Sequence, residues 1–284
     1  MAFAIRPARR DDVGSIIPWT TDTFTWGDYI PDRISTWLEA DHSEVLVSVD
    51  ESDVPIALCH VAMLSPTEAW LEGARVHPER RRSGVGSALN HAGVEWARGW
   101  GARVIRLATE ASNVAARNQV KVLGYRGISR WLFAGFEVNP AHRAAERYRM
   151  RPAPGSDAEA AWLFWAGSDL ARESRELIAI GWQWRTARPS DVTDGVAGEL
   201  IQSPAGWISV DQPADDRMRS NWIATTPEDI LGLLDGLLDF AAERGVSEVD
   251  IKLPDLPWTA EAIRRNGGDP DQLIVHAKPV AGRE

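Results

Sequence analysis

The chain has 284 residues, enough for one large domain or two ordinary ones of roughly 100–200 residues each. Its hydrophobic fraction of 44% and charged fraction of 25% fit a globular protein. No apolar run approaches the roughly 18 residues that cross a bilayer, and the amino terminus lacks the apolar core of a signal peptide, so a cytoplasmic protein without membrane contact is expected. A net charge of −10 disfavours nucleic acid as a partner, since phosphates need a concentrated basic surface, and the single Cys59 excludes an internal disulfide and a cysteine-based zinc site.

In chain order, residues 3–6 and 45–49 read as strands, with helical stretches near 11–17 and 31–40 between them. The apolar runs 54–64 and 69–76 flank Ser65-Pro66-Thr67-Glu68 and predict an antiparallel hairpin. From Gly84 onward Val85, Leu89, Ala92, Trp96 and Trp100 recur every three or four residues, one face of a helix that Gly99 and Gly101 stop. A strand over 104–109, a helix over 113–123 closed by Gly124, and a strand over 130–136 complete the order β-α-α-β-β-β-α-β-α-β. Arg6-Pro7-Ala8, followed by Asp12, recurs as Arg151-Pro152-Ala153, followed by Asp157, an offset of 145 residues. The same offset lays 227–244 over the helix from Gly84, 249–253 over the strand at 104–109, and Gly267 close to Gly124. The expected layout is therefore an α/β fold of two domains, 1–139 and 151–284, joined through 140–150 by a charged helical stretch bracketed by prolines.

The segment from Val76 to Leu89 lies between a strand and a helix and contains Arg80-Arg81-Arg82-Ser83-Gly84-Val85-Gly86-Ser87. Gly84 and Gly86 allow a ligand close to the backbone, the N–H groups of the helix start converge there, and the dipole and arginines add positive potential, which suits a pyrophosphate. A P-loop would end in Gly-Lys-Ser/Thr, and a dinucleotide fingerprint would place a third glycine or alanine where Leu89 stands, so neither fits. A Gly-x-Ser-x-Gly hydrolase elbow is absent as well.

Arg81-x-x-Gly84-x-Gly86 resembles the acetyl-CoA signature Arg/Gln-x-x-Gly-x-Gly/Ala of the GNAT superfamily of N-acetyltransferases. Leu107-Ala108-Thr109-Glu110-Ala111-Ser112-Asn113 and Leu123-Gly124-Tyr125 resemble its later strand, its helix-opening asparagine and its Leu-Gly-Phe/Tyr ending. The resemblance implies two tandem GNAT-like domains, each a mixed, mostly antiparallel central sheet flanked by helices and splayed after its fourth strand. It implies acetyl-CoA as cosubstrate and no metal. The main chain of Ala74, Arg75 and Val76 would hold the pantetheine arm, and Arg81, Arg82, Ser83, Gly84, Val85, Gly86 and Ser87 the pyrophosphate. Asn113 would contact the cofactor arm, although a plain N-cap is an equal role for it.

The family tyrosine seven residues after that asparagine is Val120 here. Its loss is tolerable, because a thiol of pKa about 8.5 leaves as thiolate at pH 7 for about 2 kcal/mol, and Tyr125 or water stands in as the acid. The fourth-strand glutamate of histone-acetylating members falls at Trp70, and Glu72, two residues on, shares its face. Glu72 is the expected base and Glu110, two residues past the fifth-strand position Ala108, the second candidate. Trp26, Tyr29 and Trp131 are expected to wall the acceptor pocket, with core packing as their plain alternative. A poorly placed base favours an amine of low pKa: an α-amine near 8 needs about 1.4 kcal/mol to deprotonate at pH 7, against roughly 4.6 for lysine.

In the second half the cofactor-loop position is Thr226-Pro227-Glu228-Asp229, with no glycine and two carboxylates, so this copy is expected to bind no acetyl-CoA. The whole reads as an acetyl-CoA-dependent N-acetyltransferase, monomer or homodimer, acting on a primary amine of a small molecule or amino acid. The rival is a non-catalytic acetyl-CoA-binding sensor or partner-binding protein.

Overall fold

The structure is a computed structural model that describes residues 3–21, 23–24, 27–211 and 216–282. The first half follows the expected order: β1 (Ala4–Pro7), α1 (Val13–Thr20), α2 (Ile30–Glu39), β2 (Ser43–Val49), β3 (Pro55–Ser65), β4 (Glu68–Val76), α3 (Val85–Gly99), β5 (Val104–Glu110), α4 (Val114–Val122) and β6 (Arg126–Glu137). The second half repeats that order with one insertion. Its elements are β7 (Arg151–Pro152), α5 (Ala158–Ala166), α6 (Asp169–Ser174), the inserted hairpin β8 (Leu177–Ile180) and β9 (Gln183–Thr186) with α7 (Pro189–Thr193), then β10 (Glu199–Ser203), β11 (Gly206–Asp211), β12 (Arg217–Ala224), α8 (Ile230–Glu243), β13 (Glu248–Pro254), α9 (Pro257–Arg265) and β14 (Asp271–Pro279). The offset read from the sequence returns at the starts of α1 and α5, of α3 and α8, and of β6 and β14. Among the described residues no helix is long and apolar enough to cross a membrane.

The elements form two compact units that interleave along the chain: residues 1–107, 118–126 and 277–284 make one, and 108–117 with 127–276 make the other. In the first unit β1, β2, β3 and β4 pair antiparallel in that order and β5 runs parallel to β4. Alternation along β2 sends Val45, Val47 and Val49 to the face covered by Ile16, Ile30, Ile34 and Trp37, and Leu46 to the face covered by Val85, Leu89, Val94 and Ala97 of α3. Both faces are therefore buried, which explains the near-continuous apolar run in β2 and β3. The buried face of α3 is rotated from the expected one: Trp100 is 51% exposed, because the helix packs through its small residues Gly93 and Ala97 and the larger indole is left at its end.

In the second unit β7, β10, β11 and β12 pair antiparallel, β13 runs parallel to β12, and β6 pairs antiparallel to β13. Helix α8 is apolar almost all round, and Leu233, Leu234, Leu237 and Ala241 are buried in this unit's core, as expected of a helix without a wet face. The charged stretch at 140–150 is not the helix expected from composition. Its one helical piece is the 3-10 turn Glu146–Tyr148, with the Tyr148 ring laid against Gly232 and the Tyr148 carbonyl against Gly236 of α8, where added Cβ atoms would lie 2.3 Å and 2.1 Å away. Close packing of one aromatic ring overrides local helix preference here.

Candidate active site

The site in the first unit begins with two bulges in the β3–β4 hairpin. Ser65 lies opposite Glu68, but Met63 lies opposite Ala69, so β3 carries an extra residue at Leu64. Further along, His60 lies opposite Glu72 and Leu58 opposite Arg75, so β4 carries an extra residue at Gly73-Ala74. Gly73 has a φ of 65°, the left-handed backbone that a bulge of this kind puts on glycine. The second bulge turns Glu72 and Arg75, three apart in sequence, to the same face of the sheet. Pairing of β4 with β5 stops at Trp70 and Arg106, so beyond that point the two parallel strands part.

A cleft of about 350 Å³ opens on the α3 side of β4, with Ala74, Arg75, Val76, Gly86, Asn90 and Gln119 around it and Leu58, Cys59, Leu71 and Leu89 beneath. The loop from β4 to α3 ends on Gly84, whose φ of 84° is left-handed. The first bond into the helix runs from the Ala88 N–H to the Gly84 carbonyl at 3.1 Å. The N–H groups of Val85, Gly86 and Ser87 thus precede the helical ladder and point out of its positive end. At Gly86 the space is tight: an added Cβ would sit 3.3 Å from both Gln119 Nε2 and Val76 Cγ2. Ser83 does not cap the helix; its hydroxyl donates to the Arg80 carbonyl at 2.5 Å, tightening the turn that carries Arg81 and Arg82.

On the other face of β4, Glu72 Oε1 lies 3.1 Å from His60 Nδ1, and the His60 ring stacks flat on Trp37 at 4.4 Å. Arg75 clasps the fully buried Asp28 carboxylate through Nε at 2.6 Å and Nη2 at 3.0 Å, and its guanidinium lies over the rings of Phe24 and Tyr29. Burial pushes the Tyr29 hydroxyl above its ordinary pKa. Tyr125 is buried too, accepts a hydrogen bond from Asn90 Nδ2 at 3.3 Å, and is pushed up to about 12 by desolvation. Asn90 Oδ1, by contrast, is buried with no hydrogen-bond partner among the described residues.

The first unit therefore gathers Glu72, Tyr29, Ala74, Arg75, Val76, the 81–87 loop and Tyr125. Glu110, exposed at the end of β5, and Asn113 belong to the second unit, where Asn113 Oδ1 caps α4 by accepting from the Ala116 N–H at 3.0 Å. Trp131 is buried in that unit as well, with its ring edge-on to Trp184. Trp26 lies outside the described residues. Sequence reading missed His60, Trp37, Asn90 and Gln119. A hairpin count from the turn would have put Val61, not His60, opposite Glu72, because the bulge at Leu64 is invisible without the fold.

Comparison with known proteins agrees with this layout. Residues 14–125, in the first half of the chain, match the family model described as the acetyltransferase (GNAT) family. A histidine N-acetyltransferase of Scomber australasicus is 32% identical over 90 residues, which cover 31% of this chain and 26% of that relative. Among solved structures, a GCN5-related N-acetyltransferase from Sphaerobacter thermophilus shares the fold over 99% of this chain and 97% of its own, with a TM-score of 0.67 at 18% identity. A tandem GNAT protein from the clavulanic acid biosynthesis pathway does so over 100% of both chains, with a TM-score of 0.62 at 15% identity. The fold of the whole chain is thus that of a tandem GNAT protein.

Proposed function

We propose that the protein is an acetyl-CoA-dependent N-acetyltransferase acting on a primary amine of a small molecule or amino acid, and that its first unit does the chemistry. The observation that carries this reading is the 84–87 cradle, where Gly86 leaves room that a Cβ would fill and three N–H groups converge at a helix start. That arrangement fits a pyrophosphate. The buried, unpartnered Asn90 Oδ1 fits an amide N–H, such as a pantetheine arm offers, and the unpaired edges of Ala74, Arg75 and Val76 fit the same arm. Arg81 and Arg82 add charge beside the phosphates.

Acetyl-CoA, when bound, supplies an acetyl group activated as a thioester. The chain's part is to hold the amine and take its proton at a Glu72 carboxylate oxygen, directly or through one water. His60, pinned by Trp37, orients that oxygen, and orientation of this kind carries much of the rate in such transfers. Tyr29 and Arg75, with Asp28, wall the acceptor side. Full proton transfer from a Tyr125 hydroxyl near 12 to a thiolate of pKa about 8.5 is uphill by roughly 5 kcal/mol, so Tyr125 acts by hydrogen bonding through Asn90 rather than as a complete acid. The likeness to a histidine N-acetyltransferase supports an amino acid as acceptor, whose α-amine is the easier one to deprotonate.

Release of free thiol from acetyl-CoA, screened over free amino acids and small amines, tests the reading. Turnover with at least one α-amine that collapses in Glu72→Gln is expected. Cofactor binding with no thiol release for any amine would move the protein to the class of non-catalytic sensors.

A further inference from the structure

In the first unit the chain that leads into α2 is fastened to β4 through a single side chain. Phe24 and Gly27 exchange main-chain hydrogen bonds at 3.1 Å and 3.0 Å, and Asp28 Oδ1 then accepts from the Ile30 N–H at 3.1 Å, at the first turn of the helix. The Asp28 side chain is fully buried, and a buried carboxylate is stable only where an opposite charge and further hydrogen bonds meet it. Arg75 supplies both, since its Nε donates to Oδ2 at 2.6 Å and its Nη2 to Oδ1 at 3.0 Å. A guanidinium makes this two-pronged contact and an ammonium does not.

The same guanidinium gathers the aromatic residues of that segment. Its carbon lies 4.8 Å from the centre of the Phe24 ring and 5.1 Å from that of Tyr29, within the reach of cation–π attraction, and Nη1 donates to the Ala74 carbonyl at 3.1 Å. Burial first, then the opposing charges of Arg75 and Glu72, act on the Tyr29 hydroxyl, so this ring lies near both side chains. Tyr29 also stands edge-on to Trp37 at 6.1 Å, and Trp37 fits against Gly73, where an added Cβ would lie 2.8 Å from its ring. The bulge at Gly73-Ala74 gives Arg75 this reach, because in an unbroken pleat it would point to the face opposite Glu72. Glu72 has a separate hold in His60 Nδ1, 3.1 Å away.

We propose that Arg75 is a positioning residue for the acceptor amine: its guanidinium, engaged by Asp28, holds the wall formed by Phe24 and Tyr29 and does not itself touch substrate. This deepens the proposed acetyl transfer at Glu72 and rests on it. Two consequences set it apart from other roles for the same arginine. Its fork is closed on Asp28, so it is not a receptor for a substrate carboxylate, and acidic and neutral acceptors depend on it alike. The base is held by His60 rather than by Arg75, so a loosened wall weakens amine binding and spares proton transfer, which raises KM at constant kcat.

Arg75→Lys keeps the charge and loses the fork, and two measurements on the full chain read the result. Hydrogen exchange is expected to quicken about tenfold or more at the amides of residues 30–33 and to stay unchanged in α3. Thiol release from acetyl-CoA, with L-histidine and with L-histidinamide as acceptors, is expected to show KM raised about tenfold or more for both, with kcat within about threefold and KM for acetyl-CoA within about twofold. Asp28→Asn, which still accepts from the Ile30 N–H, gives the same pattern, and the double variant is no worse than the more affected single one, since each removes the same clasp. Asp28→Asn carries the test alone should the lysine variant fail to fold. Unchanged exchange at 30–33 overturns the proposal, as does an unchanged acceptor KM in a folded variant, or a rise confined to the free acid, which would make Arg75 a carboxylate receptor. Absence of turnover with either acceptor in the wild-type protein counts against the activity itself, and the exchange result then decides the clasp.

Discussion

The turn before α3 and the turn before α8 stand 145 residues apart at the same place in two copies of one layout, yet they treat the same helix end in opposite ways. Before α3, a left-handed Gly84 and the small Gly86 leave the first N–H groups open beside Arg81 and Arg82. Before α8, Thr226 Oγ1 accepts from the Asp229 N–H at 3.2 Å and donates to Asp229 Oδ2 at 2.8 Å, and the Thr226 carbonyl takes the Ile230 N–H at 3.1 Å. The second helix start is satisfied by its own chain and carries negative charge where the first carries positive. A helix dipole alone therefore does not make an anion site; the residues of one turn decide whether it is offered or used up.

The sharpest way to break this comparison is to make the first copy resemble the second. By strand register the counterpart of Glu72 is Asn221, already an amide. Glu72→Gln is expected to lower kcat/KM about 10²–10⁴-fold, the range of a lost general base, while coenzyme A affinity measured by calorimetry stays within twofold. Gly86→Glu is expected to weaken coenzyme A binding about a hundredfold, because it adds both a side chain and a negative charge to the cradle. Asp229→Asn, at the turn that offers no cradle, should leave that affinity unaltered, and a change there would dissolve the contrast.

Smaller effects sharpen it. Lys252→Met should stabilise the protein by about 1–3 kcal/mol in urea denaturation, since it removes a buried donor that has no hydrogen-bond partner among the described residues. The smallest concerns the Arg-x5-Asp pattern that first suggested a repeat. Asp12 accepts from Arg6 at 2.7 Å and 2.9 Å and from the Arg9 N–H at 2.7 Å, and the Arg6 hydrogen bonds hold its carboxyl below the ordinary range. A depressed folded-state pKa contributes stability that is full above the unfolded value of about 3.9 and is lost as pH falls toward the folded one. Asp12→Asn should cost about 1–2 kcal/mol at pH 7, and denaturation curves of variant and wild type should converge toward pH 3.

The same pattern shows how far sequence reading reached. Arg151 and Asp157 gave the correct register of the second copy, since β7 pairs with β10 as β1 pairs with β2. The clasp itself recurs elsewhere, at Arg185 and Asp191, with Arg188 supplying the backbone N–H. A pattern of identical residues located the repeat without locating the interaction. Likewise the 81–87 loop was legible because its chemistry is local, whereas His60 beside Glu72 depends on a bulge at Leu64 that no local preference announces.

Local information, namely apolar spacing, glycines at turns, and charges beside a helix start, was enough to determine the order of elements, the tandem layout and the glycine turn before α3, because each is written within a dozen neighbouring residues. Only tertiary structure decided that residues 127–137 fold with the second unit and 277–282 with the first, that the bulge at Gly73-Ala74 aims Glu72 and Arg75 to one side, and that Lys252 Nζ is buried with no hydrogen-bond partner among the described residues. Those outcomes depend on which distant surfaces exclude water together, and burial of that kind is a property of the packed chain rather than of any segment in it.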